Sequence, residues 1–396
     1  LVSDTIAYHH WNGKVDPEWQ RKAVNHILSM QLPDGGWNIY HGGPSEVNAT
    51  IKAYLALKLA GVSVKDPRML KAREVALHLG GVPRMNTFSK LYLALLGLFP
   101  WEYVPTIPCE VLLIGKWFHV NFWDMSNWSR GMLVPLAIIN HFKPTRRPAN
   151  ISLDELYPTG YHDRDLALAR DPGMFTLRNF FLELDKLHKF AEMWAKKGIH
   201  PFRKRALKKA EQWMLERFEG SDGLAAIFPA MLNSLIALKA LGYPDNHPEV
   251  LRATRELKKL EHQSDNNLRI EPCFSPVWDT AIVSICLRES GISENDSRLK
   301  QATEWLIEKE IRFRGDWHHK NPVDVEPSGW VFEYNNKWNP DVDDTAMVLL
   351  ALRQTSTDNP QRRDECFQRG LKWMMTFQCK DGGWAAFDKD CTKNIL

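Results

Sequence analysis

The sequence predicts an all-α chain of stacked helix pairs, an α/α barrel or toroid. Three observations carry that expectation. Segment after segment places apolar residues at helical spacing and stops at glycine or proline. The two-residue alternation that a half-buried strand needs is scarce. A glutamine followed by five residues and a tryptophan closes two distant helices: Gln31 to Trp37 in KAVNHILSMQLPDGGW, and Gln378 to Trp384 in RGLKWMMTFQCKDGGW. The glutamine can bond free backbone groups at a helix end while the tryptophan packs over the turn. One helix pair cannot bury its own apolar face, so repeated pairs must stack.

The elements follow in order. PEWQRKAVNHILSMQ (17–31) is amphipathic and ends in a Pro/Gly turn; EVNATIKAYLALKLAG (46–61) is stopped by glycine. FSKLYLALLGLFPW and RGMLVPLAIINHF continue the pattern. Residues 143–175, rich in proline and arginine, read as a long exposed connection. RALKKAEQWMLERFEG carries a decayed repeat with Phe218 and Leu224 in the Gln and Trp places. MLNSLIALKALGYP, DTAIVSICLRESG, QATEWLIEKEI, DDTAMVLLALRQT and RRDECFQRGLKWMMTFQ complete the helical series. Glu310 and Trp317 are the expected remnants of another repeat.

Bulk composition removes several function classes. Across 396 residues, 44% are hydrophobic and 25% charged, an ordinary soluble balance. A formal charge of +3 suggests no nucleic-acid partner. Six cysteines (Cys109, Cys273, Cys286, Cys366, Cys379, Cys391) have neither zinc-site spacing nor a disulfide framework, and read as reduced thiols of a cytoplasmic protein. No apolar run reaches the roughly 18–20 residues of a membrane span. The chain starts without Met in what reads as mid-helix, shows no signal peptide, and stops just after a motif; both ends read as cut. Its 16 tryptophans stand far above the usual share and ask for a use of their broad π-faces.

The chemistry concentrates in NPDVDDTA (339–346), where Asp341, Asp343 and Asp344 fall within four positions ahead of a plain helix. Three readings are open. Asp341 can cap the helix and Asp344 return a bond, as in a capping box. The acids can hold a metal for a diphosphate substrate, although such sites also need basic residues for the phosphates. Or they can hold a proton to give away, because three close carboxylates in a dry pocket cannot all ionise. The neighbours favour the third. SPVWDT supplies Trp278 and Asp279 at another helix start, and WVFEY supplies Trp330, Phe332 and Tyr334. Aromatic faces welcome cations and repel water. Acid plus aromatics suggests protonation of an alkene and cation-driven ring closure.

These residues resemble a known family. PDVDDTA looks like the DxDD motif of class II terpene cyclases, and the Gln-x5-Trp repeats resemble the QW motifs of squalene and oxidosqualene cyclases. With PDGGWNIYHGGPSEVNATIKAYLALKLAG, FSPVWDTA and GWVFEYNN, the chain resembles the squalene–hopene cyclases along nearly its whole length, over about the first two thirds of a family member. The resemblance implies two α/α barrels with an apolar cavity between them: residues 1–274 as the first, and 275–396 as the start of an incomplete second. It implies cyclisation of squalene to hopene, with hopanol as by-product, and no metal or organic cofactor. Asp343 matches the central proton donor, and Asp341 and Asp344 its flanking acids. Trp278, Phe332 and Trp128 match cavity aromatics, Asp279 the acid supporting Trp278, and Ile227 a residue shaping the folded polyene.

Departures stand at Phe387 for a tyrosine, Phe228 for a glutamine and Lys52 for a glutamate; the last two bear on the hopene-to-hopanol ratio. The family's activating histidine falls beyond residue 396, so the chain as given is not expected to cyclise efficiently, whereas a full-length parent is. Implied partners are squalene and a membrane surface, the protein lying monotopically on the cytoplasmic face; a homodimer is compatible with this. RKRALKK (203–209) reads either as a solvated basic face or as a lipid contact, and no apolar membrane-dipping face stands out. Within enzymes, the alternative is a diterpene-diphosphate, sporulenol-type or tetraprenyl-type cyclase; an oxidosqualene cyclase is disfavoured by its different acid-motif flank. Outside enzymes, it is a non-catalytic α/α-toroid binding module, whose Asp, Cys and His zinc spacing is not found around Cys391.

Overall fold

The computed structural model describes residues 1–118, 121–160, 166, 168, 170–173, 176–195 and 202–390. Cys391 lies outside them. The described α-helices are α1 (Val2–Asn12), α2 (Pro17–Ser29), α3 (Val47–Leu59), α4 (Pro67–His78), α5 (Thr87–Leu95), α6 (Asn127–Phe142), α7 (Leu177–Ala195), α8 (Arg203–Glu216), α9 (Phe228–Ala240), α10 (Pro248–Lys259), α11 (Pro276–Glu289), α12 (Ser297–Glu308), α13 (Trp317–Lys320), α14 (Val342–Gln354) and α15 (Pro360–Met375). One short antiparallel pair, β1 (Glu261–Gln263) with β2 (Leu268–Ile270), is the only sheet among the described residues. The chain is all-α, and by internal contact it divides into two compact units.

The first unit takes residues 1–107, 139–200 and 261–271. Its centre is α3, buried on nearly every side from Thr50 through Leu59. A helix apolar all round belongs inside, with amphipathic helices around it; α2 buries only the stripe Trp19, Ala23 and Ile27. The expected clamp forms at the end of α2. Gln31 Nε2 donates to Gly35 O at 2.8 Å and Arg68 O at 2.9 Å, while Trp37 Nε1 donates back to Ile27 O at 2.7 Å. The connection at 143–175 is not wholly exposed: Leu153, Leu156, Tyr157 and Leu166 are buried, and Glu155 is ion-paired with Lys58. Its apolar residues return to the core between the polar ones, so composition alone misplaces it.

The second unit takes residues 108–138, 201–260 and 272–396. Here α9 is the helix buried all round, while α10 buries the stripe Val250, Ala253 and Leu257. Helices α11, α12, α14 and α15 share one core, with Val277, Ala281, Leu306, Val348, Leu352 and Cys366 around Trp330. The clamp recurs after α15: Gln378 Nε2 donates to Gly382 O at 2.9 Å and Trp384 Nε1 to Met374 O at 3.1 Å.

The copy after α12 differs from expectation. The tryptophan that returns to its helix is Trp330, whose Nε1 donates to Leu306 O at 2.6 Å. Trp317 instead packs with Trp373 and Phe377 in a separate aromatic cluster, at centroid distances of 5.7 and 6.0 Å. Residues 311–329 stand where the other copies have only five residues, so counting along the chain finds the wrong tryptophan. Glu310, in the glutamine place, pairs with Arg369 at 2.7 Å and accepts from Ser328 Oγ at 2.6 Å.

Candidate active site

The acid motif is built on the frame of that third clamp. Asp341 N donates to Trp330 O at 3.0 Å, Trp330 N donates to Thr345 Oγ1 at 3.0 Å, and Asp341 Oδ1 caps α14 by accepting from Asp344 N at 2.8 Å. The first unit contains the same frame with a single acid. Glu46 N donates to Trp37 O at 2.9 Å, Trp37 N donates to Thr50 Oγ1 at 3.1 Å, and Glu46 caps α3 by accepting from Ala49 N at 2.9 Å. Glu46, Asn48 and Ala49 thus occupy the places of Asp341, Asp343 and Asp344. One acid suffices to cap. Asp343 and Asp344 exceed what the frame needs, which counts against capping as the motif's sole purpose. The capping box is also only half formed, because Asp341's own N–H goes to Trp330 and not to Asp344.

The three acids separate by environment. Asp341 and Asp344 are each 3% exposed, whereas Asp343 is exposed. Burial first, then the charge of Asp344, a hydrogen bond with it and the charge of Asp343 raise Asp341 well above the usual carboxylate range. Burial pushes Asp344 up to about 6, with Asp343 adding to the rise and the bond with Asp341 opposing it. No N–H or hydroxyl donates to the buried Oδ1 of Asp344. Two carboxylates buried this close disfavour full ionisation, so the pair titrates as a unit. The three groups lie within 4.8 Å of one another, a spacing a cation would also fit. Burial and the neighbouring acids dominate the rise of the buried pair, and the backbone hydrogen bond from Asp344 opposes it at Asp341.

Other expected site residues are joined to the motif through the backbone. Val342 N donates to Ala386 O at 2.7 Å, which fixes the half-buried Phe387 next to the first turn of α14. Asp388, one residue on, is buried; it accepts from Asn127 N at 2.8 Å and pairs with the fully buried Arg130 at 3.4 Å. That pair holds the start of α6, and with it the half-exposed Trp128, against the 386–388 segment. The rings of Trp278 and Phe332 face each other at 6.3 Å. Asp279 is exposed and accepts from Ser275 Oγ at 2.7 Å. Ile227 is buried at the N-cap of α9, just after Ala225 and Ala226, which take left-handed φ of 53° and 49°. Consecutive non-glycine residues there are strained, a cost concentrated at functional sites.

Two features escaped the sequence. The Arg130–Asp388 pair spans 258 residues, and nothing local announces it. Glu333, between Phe332 and Tyr334, is a buried acid that the aromatic reading of WVFEY overlooks.

The basic run at 203–209 is partly engaged. Arg203 is buried and pairs with Glu110, and Lys209 Nζ donates to Leu112 O at 2.6 Å. The apolar face not recognised in the sequence is on α7. Leu177, Phe180, Phe181, Leu184, Leu187 and Phe190 follow helical spacing and are 42% to 64% exposed. No described helix is long and apolar enough to cross a membrane.

Comparison with known proteins agrees with this frame. The squalene-hopene cyclase N-terminal domain matches residues 1–266, and the squalene-hopene cyclase C-terminal domain matches residues 274–396. The chain is 38% identical to the squalene–hopene cyclase of Zymomonas mobilis, over 100% of this chain and 61% of that protein. It is 36% identical to the dammaradiene synthase of Dryopteris crassirhizoma (98% of this chain, 56% of that protein) and 36% identical to the squalene–hopene cyclase of Bradyrhizobium diazoefficiens (96% and 57%). It thus spans less than two thirds of the length of these relatives. With both domain types matched in order and helices throughout, this chain is an α/α-toroid protein of the squalene–hopene cyclase family.

Proposed function

We propose that the complete enzyme, a chain of its relatives' full length, is an isomerase that protonates squalene and cyclises it to hopene, with hopanol where water quenches the last cation. The observation that carries this reading is the buried Asp341 and Asp344, both raised above the usual carboxylate range, beside exposed Asp343. A buried pair stores a proton but cannot touch a substrate. Asp343, the acid with open surface, delivers it to the terminal alkene. The alkene's electron pair takes the proton, the next double bond attacks the cation, and ring closure proceeds until the last cation loses a proton or captures water. Trp278, Phe332, Trp128 and Phe387 offer π-faces to the moving charge; Ile227 shapes the folded chain, and Asp279 steadies the first turn of α11 below Trp278. No metal or organic cofactor enters this reading.

The domain reading is a proposal of the same kind: residues 1–274 as the first barrel and 275–396 as the opening of the second. The break between the two family matches, at 266 and 274, supports it. By contact, residues 108–138 and 201–260 group with the later half, so this boundary is one of sequence. Membrane contact rests on α7, whose exposed apolar stripe suits insertion into the headgroup boundary; we place the protein monotopically, on the cytoplasmic face. A homodimer is compatible with this reading.

Incubation of the complete enzyme with squalene in detergent, followed by gas chromatography–mass spectrometry, tests the reading. Hopene is the expected product. A second reading, cyclisation to another triterpene skeleton, draws on the 36% identity to a dammaradiene synthase, and the same chromatogram distinguishes it. No product from a folded protein would sink squalene as substrate.

A further inference from the structure

Each turnover empties the acid motif of a proton, and the last cation gives one up elsewhere, so the motif must be recharged from solvent. We propose that Glu333 is the relay, passing protons from a water-accessible cavity to Asp344 and so to the motif. This rests on the proton-initiated reading above.

Glu333 is 8% exposed, yet it lines a cavity of about 310 Å³ together with Asp222, Glu256, Lys259, Lys309 and Tyr334. On the other side a line of polar groups runs from it toward α14. Asn336 Nδ2 reaches Glu333 Oε2 at 3.5 Å, and Asn339 Nδ2 donates to Asn336 Oδ1 at 3.1 Å. Asn339 stands two residues before Asp341. Its Oδ1 is buried with no donor, as is Asp344 Oδ1. Asn336 and Asn339 also line a cleft of about 10 Å³, close to the size one water needs. Two orphaned acceptors and two amides between a cavity-facing acid and the buried pair cost stability if they serve packing alone. The amides donate toward Glu333 and do not themselves carry protons; with the orphaned acceptors they hold places for waters that do.

The charged groups facing Glu333 are Asp222, Glu256, Lys259 and Lys309 around the cavity, and Asp344 on α14. Three of them are already engaged: Glu256 with Lys259 at 2.5 Å, and Lys309 with Tyr334 O at 3.0 Å. Asp222 accepts from Asn335 N at 2.8 Å. Burial, with smaller contributions from the charges of Asp344 and Asp222, pushes Glu333 up to about 8, so it carries its proton at neutral pH. The cycle balances. Asp343 gives one proton to the alkene and regains one from the buried pair, Glu333 gives one to Asp344, and Glu333 takes one from cavity water. The final cation returns one to solvent.

The test is Glu333→Gln in the complete enzyme, compared with wild type in single turnover (enzyme in excess) and in steady state. The amide matches the size of the protonated acid but cannot pass a proton on. Single-turnover product formation is expected within about twofold of wild type. Steady-state kcat is expected to fall on the order of tenfold or more with KM falling in step, so that kcat/KM is nearly unchanged. Glu333→Asp should recover part of the loss, and Asp222→Asn, at the cavity, should leave single turnover intact while slowing steady state. An unchanged steady-state rate in a folded Glu333→Gln enzyme overturns the relay. So does an equal loss in both regimes, which would make Glu333 part of the first proton transfer or of the packing. If Glu333→Gln does not fold, Glu333→Ala is run in the same two regimes, and an unchanged steady-state rate or an equal loss in both overturns it as well. No product from wild type itself is a different failure, that of the squalene reading.

Discussion

Asp343 and Asp344 are one residue apart and meet opposite environments, because successive positions on a helix point in different directions. Activity and stability should therefore separate. Asp343→Asn should lower squalene turnover by at least about 100-fold and leave the melting temperature nearly unchanged, since the side chain is exposed. Asp341→Ala removes the N-cap as well, at a cost of about 1 kcal/mol, and should lower both. Thermal melts beside product assays separate the two outcomes. Glu333 gives a pH signature. It titrates near 8 folded against 4.5 unfolded, so between those values the folded chain holds a proton the unfolded chain has lost. Its contribution to stability is full below the unfolded value and is lost as pH rises toward about 8. Glu333→Gln should narrow the drop in melting temperature between pH of about 5 and about 8. An identical drop in both proteins would contradict the burial argument. At this scale the DxDD acids were legible because they are adjacent in sequence. Which of them hides and which faces outward was not, because that depends on Trp330 and Ala386 fixing the start of α14.

The helical elements and two of the clamps could be read directly. Gln31 with Trp37 and Gln378 with Trp384 keep fixed spacing, and the structure shows the bonds that spacing implies. The copy after α12 hides its tryptophan behind a longer connection, and Trp330 emerges only from its bond to Leu306. Trp330→Phe deletes that bond and leaves Leu306 O short of a donor. It should destabilise by about 1–3 kcal/mol in a denaturant melt, and lower activity too, because Trp330 also receives Asp341 N. Trp37→Phe deletes the corresponding bond in a frame without the extra acids, and should lower stability similarly with less effect on turnover. Equal losses of turnover would argue that the frame positions nothing. The buried Arg130–Asp388 pair adds a second tie at 386–388. Arg130→Met strands a buried carboxylate and should cost about 3–5 kcal/mol.

Across the whole molecule, the all-α class followed from periodicity, while surface use did not. A helix face of leucine and phenylalanine reads the same whether it meets a core or a bilayer. The exposure of Phe180, Leu187 and their neighbours on α7 shows only that this face lies outside the core of the described residues. Phe180→Glu with Leu187→Glu should sharply reduce co-flotation with liposomes and spare the helical circular dichroism signal. Undiminished flotation would contradict the proposed membrane role of this face. Among the described residues, Cys109, Cys273, Cys286, Cys366 and Cys379 form no disulfide.

The most direct measurement is squalene turnover by the complete enzyme in deuterium oxide, with wild type and Asp343→Asn run side by side and products weighed by mass spectrometry. A solvent-charged acid that starts cyclisation predicts hopene carrying one deuterium, on the ring methylene next to the dimethyl carbon of the first-formed ring, and almost no product from the variant. Unlabelled hopene, or labelled hopene formed equally well by Asp343→Asn, would contradict a cyclisation begun by this acid motif.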